Sequence, residues 1–172
     1  MQYNVAQLLK ESIGATREYG VDEVDTTAGD TAKRVTGKLH LMRTDKGIWA
    51  SAKLTCEESI VCSRCLVSYT VPRKIRIEEE YVPTIDVNTG QRVTPSGVED
   101  DTFRIDERHT LDLTEAVRQY KIASAPAKPL CREDCAGLCS VCGANLNQGR
   151  CGCTAQSSDP RWDALTKLRT RS

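Results

Sequence analysis

Polar and apolar residues change rhythm three times along the chain. Val5, Leu8, Leu9 and Ile13 follow helical spacing, with Asn4 as cap, Gln7 reaching back and Gly14 as a stop. Residues 15–25 then read as an extended, increasingly acidic segment, and 26–30 as a turn. From Lys33 the period is two. Val35, Leu39 and Leu41 share one face of a strand, with Gly37 marking a bulge. After a turn at Asp45-Lys46-Gly47, the residues Ile48, Ala50, Ala52, Leu54, Cys56 and Ile60 alternate with polar neighbours. A further strand runs from about Leu66 to Tyr81 through Val67, Tyr69, Val71, Ile75 and Ile77. Short turns between such runs predict antiparallel pairing.

The pattern fails between Pro83 and Asp101. Gly90, Pro95, Gly97 and the cluster Glu99-Asp100-Asp101 predict a mobile acidic loop. Phe103-Arg104-Ile105 reads as a short strand. Asp112 caps a helix whose stripe is Leu113, Ala116, Val117 and Tyr120. Pro126 and Pro129 open a linker, and Asp159-Pro160-Arg161-Trp162 starts a last short helix. The expected fold is α+β: a curved antiparallel sheet over 15–106, flanking helices near 5–13 and 112–122, and a C-terminal metal-binding loop. The expected division is a core at 1–125 and a cysteine-rich segment with its terminal helix at 126–172.

Composition fits that outline. In 172 residues, 39% are hydrophobic but only 5% aromatic, so aliphatic side chains must build the core. No apolar run approaches the ~20 residues that span a bilayer. The N-terminal residues lack a signal peptide's basic head and apolar stretch. A cytoplasmic protein away from membranes is expected. The net charge is zero, but it is arranged in blocks of −4 (1–32), +7 (33–76), −8 (78–115) and +5 (116–172). The basic block holds Lys33, Arg34, Lys38, Arg43, Lys46, Lys53, Arg64, Arg73, Lys74 and Arg76. If several point one way, they form a phosphate-binding surface. Exposed stacking aromatics are few, which disfavours base reading of single strands.

Nine cysteines in a cytoplasmic chain point to metal or redox chemistry, since disulfides are disfavoured there. Six of them fall in Cys131-x3-Cys135-x3-Cys139-x2-Cys142-Gly143 and Cys151-x-Cys153. Zinc takes four tetrahedral ligands and favours thiolate. Cys139 to Gly143 has the form of a zinc knuckle, in which glycine permits the turn that aims N–H groups at sulfur. This glycine-rich stretch has too few aliphatics to order itself without metal, which is worth about 10 kcal/mol or more at such sites. Two sulfur sets satisfy the count: Cys131, Cys135, Cys139 and Cys142, or Cys139, Cys142, Cys151 and Cys153; the alternatives are a two-metal site sharing thiolates and a cysteine cluster without metal. The separate pair Cys62-Ser63-Arg64-Cys65 reads as two small buried side chains, half a metal site or a redox couple. His40 and His109 fit no catalytic pattern, and no phosphate loop or nucleophile elbow occurs. An all-cysteine set is structural rather than catalytic.

Cys62-Ser63-Arg64-Cys65-Leu66, then Pro129-Leu130-Cys131 through Cys139, then Cys142-Gly143-Ala144-Asn145-Leu146-Asn147, then Asp159-Pro160-Arg161-Trp162, together resemble the bacterial YceD family of large ribosomal RNA subunit accumulation proteins. The resemblance covers nearly the whole chain. It implies a cytoplasmic, non-enzymatic factor in ribosome assembly, with no small-molecule substrate. Relatives with histidines near 151–153 favour Cys131, Cys135, Cys139 and Cys142 as zinc ligands, with Cys151 and Cys153 as alternates and Cys62 and Cys65 behind them. The expected partner is ribosomal RNA or a pre-ribosomal particle, held by Lys33, Arg34, Lys38, Arg73, Lys74 and Arg76. Two rival readings are an adaptor whose acidic loop at 99–107 holds a basic ribosomal protein, and a thiol redox enzyme using Cys62 and Cys65.

Overall fold

The computed structural model describes residues 1–25, 33–93 and 102–154. The chain divides into two compact units. One comprises Met1–Ser59 and Thr70–Ala127; the other comprises Ile60–Tyr69 and Lys128–Ser172. The second unit thus takes in residues 60–69 as well as the C-terminal segment, where the sequence placed a single boundary at 125/126.

The elements are β1 (Gln2–Asn4), α1 (Ala6–Lys10), β2 (Thr16–Asp25), β3 (Lys33–Arg43), β4 (Ile48–Val61), β5 (Ser68–Pro83), β6 (Arg104–Ile105), β7 (Thr110–Asp112) and α2 (Thr114–Ala123). Five of these strands form a curved, open sheet in the order β2-β3-β4-β5-β6, and β1 pairs separately with β7.

Alternation explains the sheet. Val35, Leu39 and Leu41 of β3 and Ala50, Ala52, Leu54 and Cys56 of β4 all lie on the inner face and are buried. They share one core with Ile75, Ile77 and Tyr81 of β5, Leu8 and Leu9 of α1, and Ala116 and Val117 of α2. Helices therefore cover one face, and the other presents Lys38, Lys53, Lys74 and Arg76 as exposed side chains. Gly37 lies on the inner face, where a Cβ would stand 2.1 Å from the Lys53 carbonyl oxygen. The β3–β4 register runs unbroken through Gly37↔Leu54, so this glycine serves a close backbone approach and not a bulge.

Three further expectations change. Helix α1 stops at Lys10 instead of Ile13, which is exposed, because Glu11 already takes extended backbone (φ −79°, ψ 168°). Asn4 does contribute, since its Oδ1 accepts from the Ala6 N–H at 3.1 Å. Strand β6 runs parallel to β5, through Val82↔Arg104 and Pro83↔Ile105, so the sheet is mixed. The long excursion from 84 to 103 permits this crossover. Within it, residues 84–93 fold back through an Ile85↔Arg92 bridge, and the Asp86 carboxylate accepts from the Asn88 and Thr89 N–H groups. The turn at 26–30, the acidic cluster 99–101 and the helix at 159–162 lie outside the described residues.

Helix α2 follows the sequence reading closely. The Asp112 carboxylate accepts from the Thr114 N–H at 2.8 Å, and Leu113, Ala116 and Val117 are buried. Glu115 pairs with Arg118 one turn along the helix. No helix among the described residues is long and apolar enough to cross a membrane.

Candidate metal centres

Eight of the nine cysteines gather into two clusters, both inside the second unit. Cys62, Cys65, Cys131 and Cys135 form the first; Cys139, Cys142, Cys151 and Cys153 form the second. Within each, all four sulfurs lie within 4.8 Å of one another. The four expected ligands Cys131, Cys135, Cys139 and Cys142 are not brought together as one set. The first two join the pair from the 60–69 segment, and the last two join Cys151 and Cys153. Cys56 remains in the sheet core.

The geometry suits a tetrahedral thiolate-loving ion. A Zn–S bond of about 2.3 Å places sulfurs about 3.8 Å apart around a tetrahedron. Cys62 and Cys135 sulfurs stand 3.8 Å apart, and Cys65 and Cys131 sulfurs 3.7 Å. Four thiolates also complete the shell, leaving no open position for a substrate.

Local sequence builds both centres alike. In Cys62-Ser63-Arg64-Cys65-Leu66 and Cys139-Ser140-Val141-Cys142-Gly143, the first sulfur receives backbone N–H groups from the turn that follows. The Val141 N–H reaches the Cys139 sulfur at 3.4 Å. The N–H groups of Cys142 and Val141 hold the Cys139 thiol down at about 6, and the N–H of Cys65 does the same for Cys62, also to about 6. Others move the opposite way. Burial and the neighbouring Cys65 sulfur push Cys131 up to about 12, and the Cys142 sulfur pushes Cys153 up to about 12. The Asn147 side chain also lowers Cys135, so each centre holds thiols that ionise readily beside others, Cys131 and Cys153 among them, that ionise reluctantly. A divalent cation is the natural means of ionising all four.

Each turn closes with a left-handed residue directly after its second cysteine: Leu66 at φ +58° and Gly143 at φ +73°. Glycine adopts this conformation freely, whereas leucine is strained there by about 1 kcal/mol. Leu66 is 63% exposed, so little packing would be lost on truncation. Leu66→Gly is expected to stabilise the first centre by up to about 1 kcal/mol, read as slower metal loss to a chelator; faster loss would refute the strain argument.

Asn147 links the two centres. Its Nδ2 donates to the Cys135 sulfur at 3.3 Å, while its Oδ1 accepts from Arg132 at 2.7 Å and from the Ala136 N–H at 2.9 Å. Yet Asn147 belongs to the loop between Cys142 and Cys151. That loop is also tied back by the Leu146 N–H to the Gly137 carbonyl and by a Leu138↔Asn145 bridge. On the other side, Arg64 Nη1 donates to the Cys135 carbonyl, and the Ser63 N–H to that of Pro129. The centres differ in exposure. Cys62, Cys65 and Cys135 are buried, whereas Cys142 and Cys153 are exposed.

The six expected phosphate contacts fare unequally. Arg73 points inward and is buried, its Nε 2.8 Å from the Glu58 carboxylate and its Nη1 donating to the Lys121 carbonyl. It serves the core rather than a ligand. Arg34 is exposed but held by Asp22 at 2.6 Å, and Arg76 is exposed beside Glu78. Lys38 and Lys74 are exposed, and among the described residues they form no ion pair. The Lys33 side chain lies outside the described set. Lys53, outside those six, stands directly opposite Lys38 on the neighbouring strand.

Comparison with known proteins adds an independent line. A family model described as "Large ribosomal RNA subunit accumulation protein YceD" matches residues 50–169, a span that contains all eight clustered cysteines. Uncharacterized proteins of Mycobacterium tuberculosis and Mycobacterium bovis are 24% identical over 135 residues, covering 76% of this chain and 59% of theirs. The chain therefore spans well under two thirds of those relatives. The chloroplastic "Large ribosomal RNA subunit accumulation protein YCED homolog 1" of Arabidopsis thaliana is 30% identical over 59 residues, 34% of this chain and 18% of that protein. No solved structure matches the chain.

Proposed function

The chain belongs to the YceD family, a family of ribosome-biogenesis factors, and on that premise we propose that it supports large-subunit ribosomal RNA accumulation by binding ribosomal RNA or a pre-ribosomal particle. It acts by binding, without catalysis, in the cytoplasm. Zinc in two tetrathiolate centres orders the second unit, with Cys62, Cys65, Cys131 and Cys135 around one ion and Cys139, Cys142, Cys151 and Cys153 around the other.

The observation that carries this reading is the pair of closed four-sulfur clusters inside the span matched by the family model. Closed thiolate sites build shape rather than reactivity. The rival readings have less support. Cys62 does have the lowered thiol of a redox cysteine. The N–H donor responsible is also that of a metal knuckle, and Cys135 sulfur lies 3.8 Å away. For the adaptor, Glu107 is engaged by Arg92, and Asp106 caps its own turn by accepting from the Arg108 and Thr110 N–H groups.

Depletion of the protein in its host is expected to lower large-subunit relative to small-subunit ribosomal RNA. The protein itself should co-sediment with large-subunit precursors in a nuclease-sensitive way. An unchanged RNA ratio would overturn the reading. Co-sedimentation that survives nuclease and follows a basic ribosomal protein would transfer it to the adaptor.

A further inference from the structure

The face of the sheet that points away from the core carries cations the domain does not neutralise. Successive side chains alternate between faces, and the outward positions include Lys38 on β3, Lys53 on β4, and Lys74 and Arg76 on β5, all exposed. Lys38 and Lys53 stand directly opposite each other in the β3–β4 register. Like charges so placed destabilise a sheet. Among the described residues neither they nor Lys74 form an ion pair, and only Arg76 has a carboxylate, that of Glu78.

Two shallow depressions meet at Lys53. One, of about 210 Å³, is lined also by Lys38, His40, Ser51 and the single carboxylate Glu18. The other, of about 280 Å³, is lined by Lys53, Thr55, Lys74 and Arg76. Ammonium, guanidinium and hydroxyl groups are the donors that hold phosphate oxygens. Adjacent strands are about 4.8 Å apart, so the cations form a close-set patch across three strands. The one ring lining either depression is the small imidazole of His40, neither is lined by Phe, Tyr or Trp, and Trp49 of β4 is half-buried.

We propose that this face binds the phosphodiester backbone of double-helical RNA, with Lys53 at the centre and Lys38, Lys74 and Arg76 around it. The assignment rests on the ribosomal RNA reading and names the surface it uses. Charge complementarity selects a polyanion, and a lining with four cations but a single imidazole and no Phe, Tyr or Trp favours backbone over bases, hence duplex over single strand. The repulsion between Lys38 and Lys53 in the free protein is relieved when phosphate lies between them.

The test uses the full zinc-loaded chain and fluorescence anisotropy with a hairpin from large-subunit ribosomal RNA, a single-stranded oligonucleotide of equal length, and polyglutamate. Lys53→Glu is expected to weaken hairpin binding at least ten-fold. Lys53→Gln should lower the slope of log affinity against log salt by about one. It should also raise the thermal midpoint of the free protein by about 2 °C, as removal of an opposed like charge requires. Lys10→Gln, on α1, should change neither. Wild-type-like hairpin binding by Lys53→Glu overturns this surface while leaving the family function standing. Failure of the wild-type chain to bind any RNA or large-subunit precursor overturns the function itself. Tighter binding to the single strand, or equal competition by polyglutamate, overturns the duplex assignment. A lowered midpoint with an unchanged salt slope assigns Lys53 to the fold alone.

Discussion

Cys62→Ser is expected to release the metal of the first centre and to unfold the second unit around it. The magnitude follows from what else holds that unit. Among the described residues, Tyr69 and Leu130 are the apolar side chains other than cysteine that pack against the Cys62–Cys65–Cys135 cluster, and two partly buried side chains cannot offset the conformational entropy of the surrounding loop. Structural zinc contributes about 10 kcal/mol or more at such a site, so losing a ligand removes the main source of order. Zinc content should fall from two per chain to one or none, and limited proteolysis should cut within 128–154. Cys56→Ser, in the sheet core, should keep both ions. The same experiment separates the clusters seen here from a site made of Cys131, Cys135, Cys139 and Cys142, because that site would not notice the change. Full zinc and wild-type protease resistance in Cys62→Ser would refute the grouping.

Arg73→Ala should be the most damaging of the cation replacements, through stability and not through RNA. Arg73 contacts the Glu58 carboxylate at 2.8 Å and the Lys121 carbonyl at 3.1 Å. Its removal leaves a carboxylate whose side chain is only 23% exposed without its counter-charge. Breaking a buried pair from one side costs about 3–5 kcal/mol, and the partial exposure of Glu58 puts this case near 3. That is a large fraction of the ~5–15 kcal/mol typical of a domain. Urea unfolding should show a lower midpoint at unchanged slope. Arg73→Leu combined with Glu58→Leu should recover much of the loss, since neither charge is then stranded. Intact stability with lost RNA binding would return Arg73 to the interface.

The contrast between Arg73 and Lys53 shows what strand parity can reveal. Val71, Ile75 and Ile77 are odd-numbered positions on one strand, and Arg73 falls among them. The same alternation sets Lys53 opposite in parity to Ala52 and Leu54. Both placements are legible from period two, whereas membership of the basic block alone does not say which face a cation takes. Strands β3 and β4 were legible for the same reason, since alternation and a Gly-containing turn act locally. The parallel pairing of β6 was not, because a two-residue strand carries no period and its partner lies beyond a long excursion. Nor was the sulfur grouping. Spacing shows which cysteines can share a turn, but which turns meet depends on loop closure across some seventy residues, as for Cys62 and Cys135. Asn147 stands in the stretch that carries the family resemblance, but its contact with sulfur is not legible there, since a side chain that donates to sulfur is indistinguishable in sequence from a turn asparagine.

The pairing of β1 with β7 joins residues 110 positions apart, as at Gln2 and Asp112. The short strand at 2–4 has no partner until residues 110–112 have been translated. During vectorial synthesis the core that holds Val5, Leu8 and Leu9 stays incomplete until Leu111, Leu113 and Val117, which belong to it, have been translated. A domain closed by so distant a clasp pays its loop-closure entropy before the reward arrives, which places it among slow, cooperative folders. Its core is therefore sealed only after nearly the whole of that unit has emerged from the exit tunnel.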